Sequence, residues 1–220
     1  VIERLSEGLR RLLRAFFELL YGRLAGLYDP VAWLVSRGAW PAWVQSAMPF
    51  LAGEVLEIGP GTGHLLAALA AAGQPAVGLD RSAPLLGRAR ARLRWADRTG
   101  SGSARLVRGE AAALPFGDGR FDRVVTTFPA PFVADPAVMG EIRRVLANGG
   151  EWVIVDGARP SGLDPWSRAA RWLLAHVARP ADAAQAGLVG RLQDAGFAVD
   201  ARPVAVGADV VTVLRARTRP

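Results

Sequence analysis

Three glycines at alternate positions, in Glu57-Ile58-Gly59-Pro60-Gly61-Thr62-Gly63-His64, follow the short apolar run Val55-Leu56-Glu57-Ile58. Glycines so spaced let the backbone turn sharply and lie against a ligand where a Cβ would collide, and a helix opening behind them offers unpaired N–H groups. The dinucleotide fingerprint has a glycine at its sixth position, where this chain has His64. A second signal is Asp80, 19 residues after Gly61, which closes the run Ala76-Val77-Gly78-Leu79. A carboxylate at that strand end can accept hydrogen bonds from both hydroxyls of a ribose. Glycine turn and acidic strand end together point to a nucleoside-containing cofactor. Composition narrows the chemistry further. The chain has no Cys, all 27 of its basic residues are Arg, and its only imidazoles are His64 and His176. Thiolate catalysis, a lysine Schiff base, a phosphate loop built on lysine and a Cys/His zinc site are set aside, and no metal is expected.

Those residues need a sheet edge to hold them. From Glu54 onward, short apolar runs alternate with helical stretches. Strands are predicted at 55–58, 76–79, near 104–108, at 121–126 and at 151–155, and helices at 63–72, 82–97 and 134–147. Such alternation implies a parallel sheet covered on both faces. After helices predicted near 165–178 and 183–195, the runs 198–204 and 210–214 are joined by too few residues for a helical crossover, so they should pair antiparallel. Before the sheet, Leu5, Leu9, Leu12, Phe16, Leu20 and Leu24 recur at helical spacing opposite Arg and Glu. Tyr28-Asp29-Pro30 breaks that helix, and an aromatic-rich stretch with Trp33, Trp40 and Trp43 follows. The chain thus divides into a helical cap, 1–52, and an α/β domain, 53–220. Apolar residues at 51% and charged residues at 21% suit a folded core. No apolar run approaches the roughly 20 residues of a spanning helix, and no cleavable signal is visible.

The chain resembles the class I S-adenosylmethionine-dependent methyltransferases over nearly all of 53–216. The resemblance rests on Glu57-x-Gly59-x-Gly61-x-Gly63, on Asp80, on Arg108-Gly109-Glu110-Ala111 followed by Leu114-Pro115-Phe116-x-Asp118-x-x-Phe121-Asp122, on Asn148-Gly149-Gly150, and on Ala195-Gly196-Phe197. It implies a Rossmann-like, doubly wound, mostly parallel seven-stranded sheet with an antiparallel C-terminal strand pair. It also implies S-adenosylmethionine as cofactor and S-adenosylhomocysteine as product. On the cofactor side it implies Glu57, Gly59, Pro60, Gly61, Gly63, Asp80, Arg81, Glu110, Ala111 and Thr126, with Glu110 standing where the family usually has Asp. Tyr21-Gly22-Arg23-Leu24-Ala25-Gly26-Leu27-Tyr28-Asp29 and Leu34-Val35-Ser36-Arg37-Gly38 are similar to the entry helices of the quinone-biosynthesis C-methyltransferases and the bacterial phospholipid N-methyltransferases. The quinone enzymes, however, carry an F-G-x-R-N-type stretch after the fourth strand, where this chain has Thr126-Thr127-Phe128-Pro129-Ala130-Pro131-Phe132.

The expected activity is methyl transfer to a lipid-like or apolar acceptor, a phospholipid amine among them, at a membrane surface. The alternative is a soluble aromatic or polyketide-like acceptor; a nucleic-acid acceptor is not favoured, since no RNA-binding module is appended. Substrate-side candidates are Tyr21, Tyr28, His64, Thr127, Phe128 and Phe132. No residue is assigned as catalytic, because in-line transfer relies on orientation in a dry pocket. His64 reads first as a capping or surface residue, and Arg88, Arg90, Arg92, Arg94 and Arg98 as a solvated helix surface. The formal charge of +7 and the Arg-flanked aromatics of the N-terminal helix suit an anionic membrane surface. The expected location is cytoplasmic, peripheral at the inner face of the membrane.

Overall fold

The computed structural model describes residues 28–96, 104–128, 131–160 and 181–218. The predicted helix before Tyr28 and the one near 165–178 lie outside them. Seven strands form one sheet: β1 (Val55–Ile58), β2 (Ala76–Asp80), β3 (Ala104–Arg108), β4 (Phe121–Thr127), β5 (Leu146–Pro160), β6 (Phe197–Val206) and β7 (Asp209–Thr218). Their order is β3-β2-β1-β4-β5-β7-β6. Pairings among β1 to β5 are parallel. β7 runs antiparallel to both β5 and β6, so the C-terminal pair predicted from its short connection is present and is joined to the parallel part. The helices are α1 (Tyr28–Ser36), α2 (Trp40–Gln45), α3 (His64–Ala71), α4 (Ala83–Ala96), α5 (Pro136–Val145) and α6 (Ala181–Asp194).

Side chains alternate across the strands and divide the core in two. Leu56, Val124, Trp152 and Ile154 pack with Val138, Ile142 and Leu192 of α5 and α6. Val55, Val125, Val153 and Val213 pack with Leu65, Leu66 and Leu69 of α3. Trp43, Val44, Ala47 and Leu51 join this second core, so the second half of the cap docks on the sheet. Local sequence explains the helix ends well in α5. Asp135 caps it by accepting from the Ala137 N–H at 2.9 Å, Pro136 starts it, and Arg143 and Arg144 complement the dipole in its last turn.

Strand β5 is three times as long as the apolar run 151–155 suggests, 15 residues. Only its centre is covered on both faces. Its last four residues, Gly157 to Pro160, pair with β7 alone, beyond the end of β4. The register shifts between Val155 and Gly157, which makes Asp156 the bulged residue. β3 and β6 are the two edges of the sheet.

Candidate active site

Strand order reverses between β1 and β4, and the carboxyl ends of such neighbours leave a crevice. Here β1 delivers Glu57 and the glycine turn, and β4 delivers Thr127. Both line one cleft with Trp40, Val44 and His64. The turn is fixed from both sides. The Gly59 N–H donates to Leu79 O and the Gly63 N–H to Pro60 O, each at 2.8 Å. Gly59, Gly61 and Gly63 all have positive φ, at 73°, 56° and 80°.

The three glycines serve different ends. A Cβ on Gly61 would meet nothing within 4 Å, and one on Gly59 only Phe132 Cζ at 3.9 Å, so these two present bare backbone to open space. A Cβ on Gly63 would stand 2.9 Å from Ala89 Cβ and 3.0 Å from its Cα. The expectation that all three make room for a ligand is therefore corrected: Gly63 makes room for α4.

Two carboxylates frame the turn. Glu57 is 1% exposed, and its Oε2 has no hydrogen-bond partner. Burial, reinforced by the nearby charge of Asp80, pushes its carboxyl up to about 8, against a hydrogen bond from the Leu66 backbone. Asp80 accepts from the Ser82 N–H at 2.8 Å. Burial raises its pKa too, offset in part by the backbone N–H groups of Ser82 and Gly61. Two desolvated acids beside open backbone suit a ligand that brings positive charge and hydroxyl donors. The orphaned oxygen of Glu57 fits that requirement directly.

Behind cleft-lining Trp40, the Phe128 ring lies 4.7 Å from Trp40 and 6.1 Å from Trp43, centroid to centroid. Phe128 holds the left-handed φ of 45°, and its N–H donates to Val155 O at 2.7 Å. A non-glycine residue there is strained by roughly 1–2 kcal/mol, which the aromatic packing offsets. The Trp43 indole donates to buried Asp209 at 3.0 Å.

The other sequence candidates sort clearly. Thr127 and His64 line the cleft, as does Pro60, and Phe132 overhangs Gly59. Thr126 is fully buried, and its hydroxyl accepts from the Trp152 indole at 3.1 Å, which leaves only its backbone for the edge. Glu110 makes an isolated bridge with Ala113, and Ala111 packs against the core. The loop that follows them is clamped by Arg144, which binds Glu141 and Asp118, each at 2.7 Å, and the Phe116 carbonyl. Arg81 offers its carbonyl to Arg108 at 3.3 Å. Tyr21 and the side chain of Tyr28 lie outside the described residues.

Sequence reasoning missed three residues. Arg92 does not belong to a solvated surface: it pairs with Asp29 at 2.8 Å and also donates to the Thr62 carbonyl. Asp29 is more than part of a helix-breaking turn. It accepts from Thr62 Oγ1 at 2.6 Å and lies 3.4 Å from His64 Nε2. Burial opposes its ionisation, but the hydrogen bonds from His64, Thr62 and Arg92 outweigh that and hold the carboxyl well below the usual range. Asp156, in the β5 bulge, stands next to the residue that receives the Phe128 N–H. Burial raises its carboxyl above the ordinary value.

Residues 55–150 match the family described as "Methyltransferase domain". The chain is 35% identical over 148 residues to the demethylmenaquinone methyltransferase of Thermus thermophilus, covering 64% of this chain and 66% of that protein. It is 34% identical over 166 residues to that of Roseiflexus castenholzii, covering 72% and 66%. The match thus spans just under two thirds of the length of these curated relatives. A solved S-adenosylmethionine-dependent methyltransferase of Thermotoga maritima shares the fold, with a TM-score of 0.61 at 20% identity over 92% of this chain and 99% of that one. Residues 55–150 carry a methyltransferase domain. The acids at its glycine turn are chemically suited to the sulfonium and the ribose of S-adenosylmethionine. Among the described residues no cluster of His, Asp and Glu could hold a metal ion.

Proposed function

We propose that this methyltransferase methylates an apolar, ring-bearing lipid-like acceptor, of the reduced naphthoquinone class, in preference to a phospholipid amine. The observation that carries this reading is Trp40, which lines the cleft with the glycine turn and packs at 4.7 Å against the Phe128 ring behind it. An indole backed by a tilted phenyl suits a flat ring better than a hydrated headgroup. The names of the relatives from Thermus and Roseiflexus point the same way.

Bound S-adenosylmethionine supplies an electrophilic methyl on sulfur. On the cofactor side Gly59, Gly61 and the Thr126 backbone would line its path, Glu57 would meet its positive charge, Asp80 with Arg81 would hold the ribose, and Glu110 with Ala111 would hold the adenine. Trp40, backed by Phe128, and Phe132 would exclude water and hold the acceptor ring, with Thr127 and His64 at its polar groups. A carbon nucleophile needs an ionised ring hydroxyl. We assign that proton to Asp156, which follows Val155, the acceptor of the Phe128 N–H, and whose burial raises its affinity for protons.

The same reading puts the chain at a membrane surface, where such acceptors reside. Trp33 and Leu34 of α1 are 63% and 57% exposed, and Trp95 of α4 is 73% exposed near exposed Arg90 and Arg94. Among the described residues no helix is long and apolar enough to cross a membrane. The test supplies methyl-labelled cofactor with three acceptors: demethylmenaquinol in anionic vesicles, phosphatidylethanolamine vesicles, and a water-soluble naphthol. Label is expected in the quinol. Label in the phospholipid alone would overturn the ring acceptor, and equal turnover of the soluble naphthol without vesicles would overturn the membrane surface.

A further inference from the structure

Cap and cofactor loop are fastened to each other by a node that the chemistry above does not use. Asp29, in the first turn of α1, accepts from Thr62 Oγ1 at 2.6 Å through one oxygen and from Arg92 Nη2 at 2.8 Å through the other. Arg92 reaches from α4 and with its second nitrogen grips the Thr62 carbonyl. Thr62 is thus held by its hydroxyl and its carbonyl, by two different elements, and is only 2% exposed. Its two neighbours are Gly61, whose bare face opens to the cleft, and Gly63, which is pressed against Ala89 of the same α4. Ala89 and Arg92 are nearly one turn apart, so α4 touches the glycine turn twice. His64, the next residue and a wall of the cleft, lies 3.4 Å from the same Asp29 carboxylate. The flanking Gly61 and Gly63 adopt their positive φ at no steric cost and leave the turn little stiffness of its own, so its geometry depends on what holds Thr62.

We propose that Asp29 and Arg92 are positioning residues for the cofactor: they clamp Thr62 so that Gly61 presents its backbone correctly, and they make cofactor affinity depend on the docked state of the acceptor-side cap. This rests on the cofactor of the domain and goes beyond it by naming a linkage between the two substrates' sites. Such linkage is reciprocal, so an acceptor that holds α1 in place tightens cofactor binding, and the cofactor tightens acceptor binding by the same factor.

The experiment is calorimetric titration of S-adenosylhomocysteine into the full chain. The proteins are the wild type, Asp29→Asn, Arg92→Gln, the double variant, Thr62→Ser, Thr62→Val, and Arg94→Gln as a control on the same helix. Each variant's unfolding midpoint without ligand is recorded alongside, and binding is measured well below it. Asp29→Asn, Arg92→Gln and Thr62→Val are each expected to weaken binding by roughly 5- to 50-fold. The double variant is expected to bind no worse than the poorer single one, because the two residues act as one unit. Thr62→Ser, which keeps the hydroxyl, and Arg94→Gln are expected to match the wild type. A lowered unfolding midpoint with unchanged affinity would show a role in stability alone and overturn the proposal, as would losses that multiply in the double variant. Absence of binding by the wild type would instead overturn the cofactor itself, an outcome distinct from variants that bind as the wild type does.

Discussion

Glu57 shows what a single buried acid does to the molecule around it. Its carboxyl ordinarily titrates at 4.5 but here at about 8, so between those values the folded chain keeps a proton that the unfolded chain has released. Stability contributed by this group is therefore complete below 4.5 and is lost as pH rises to about 8. Glu57→Gln removes the titration: its apo unfolding midpoint should exceed the wild type's by roughly 5 °C near pH 8, with little difference near pH 4, while S-adenosylhomocysteine affinity falls. Differential scanning fluorimetry across pH, paired with calorimetry, checks both halves. Asp156 is the contrasting case, the acid proposed to take the acceptor's proton. Asp156→Asn should lower turnover by roughly 10²- to 10⁴-fold and leave S-adenosylhomocysteine affinity unchanged, which single-turnover kinetics can separate. Glu57 and Asp80 were legible because each lies in or at the end of an apolar run beside a distinctive spacing. Asp29 and Arg92 were not, because they meet across 63 positions only once α1 has docked. Nothing in the local spacing of either residue carries that information.

Among the elements, α4 and β5 departed most from what periodicity alone suggests. The arginines of α4 alternate in sequence and so radiate around the helix, yet Arg92 faces inward at the glycine turn because Gly63 lets the helix approach so closely. Gly63→Ala should destabilise the chain by about 2–4 kcal/mol, combining the overpacking against Ala89 with the positive φ, whereas Gly61→Ala should incur the backbone penalty alone and about half the loss. Urea denaturation of both variants decides this. For β5 the unread residues are at its ends, where Asn148-Gly149-Gly150 and Gly157 interrupt any strand pattern. The outer end is extended because β7 supplies a partner from Gly157 to Pro160, and the inner end is tied to β4 through Phe121 and Leu146, long-range pairings that composition does not encode. Parallel strands with both faces covered, such as β1 and the middle of β5, were by contrast plain from their apolar runs alone.

At the scale of the whole chain, the boundary drawn near residue 52 separates elements that share a core. Trp43 is 7% exposed, with Val44 and Ala47 also buried, and the Trp43 indole is the partner of Asp209 at the start of β7. Trp43→Ala should therefore cost about 3–5 kcal/mol, and a fragment beginning at Gly53 should show a lower unfolding midpoint than the full chain by circular dichroism. Cap and sheet fold together, which is why sequence could place the aromatic cap before the sheet without showing how deeply it enters. The two edges of the sheet have a consequence of another kind. β6 turns outward the Arg202–Asp200 pair, at 2.7 Å, and Pro203, which lacks an N–H, while β3 carries Arg105 and Arg108 at the opposite rim. Charges on both rims, and a missing donor on β6, disfavour the addition of a second molecule's strand to either edge. Edge-to-edge growth of the sheet into fibrils should therefore be slow even when the folded chain is concentrated.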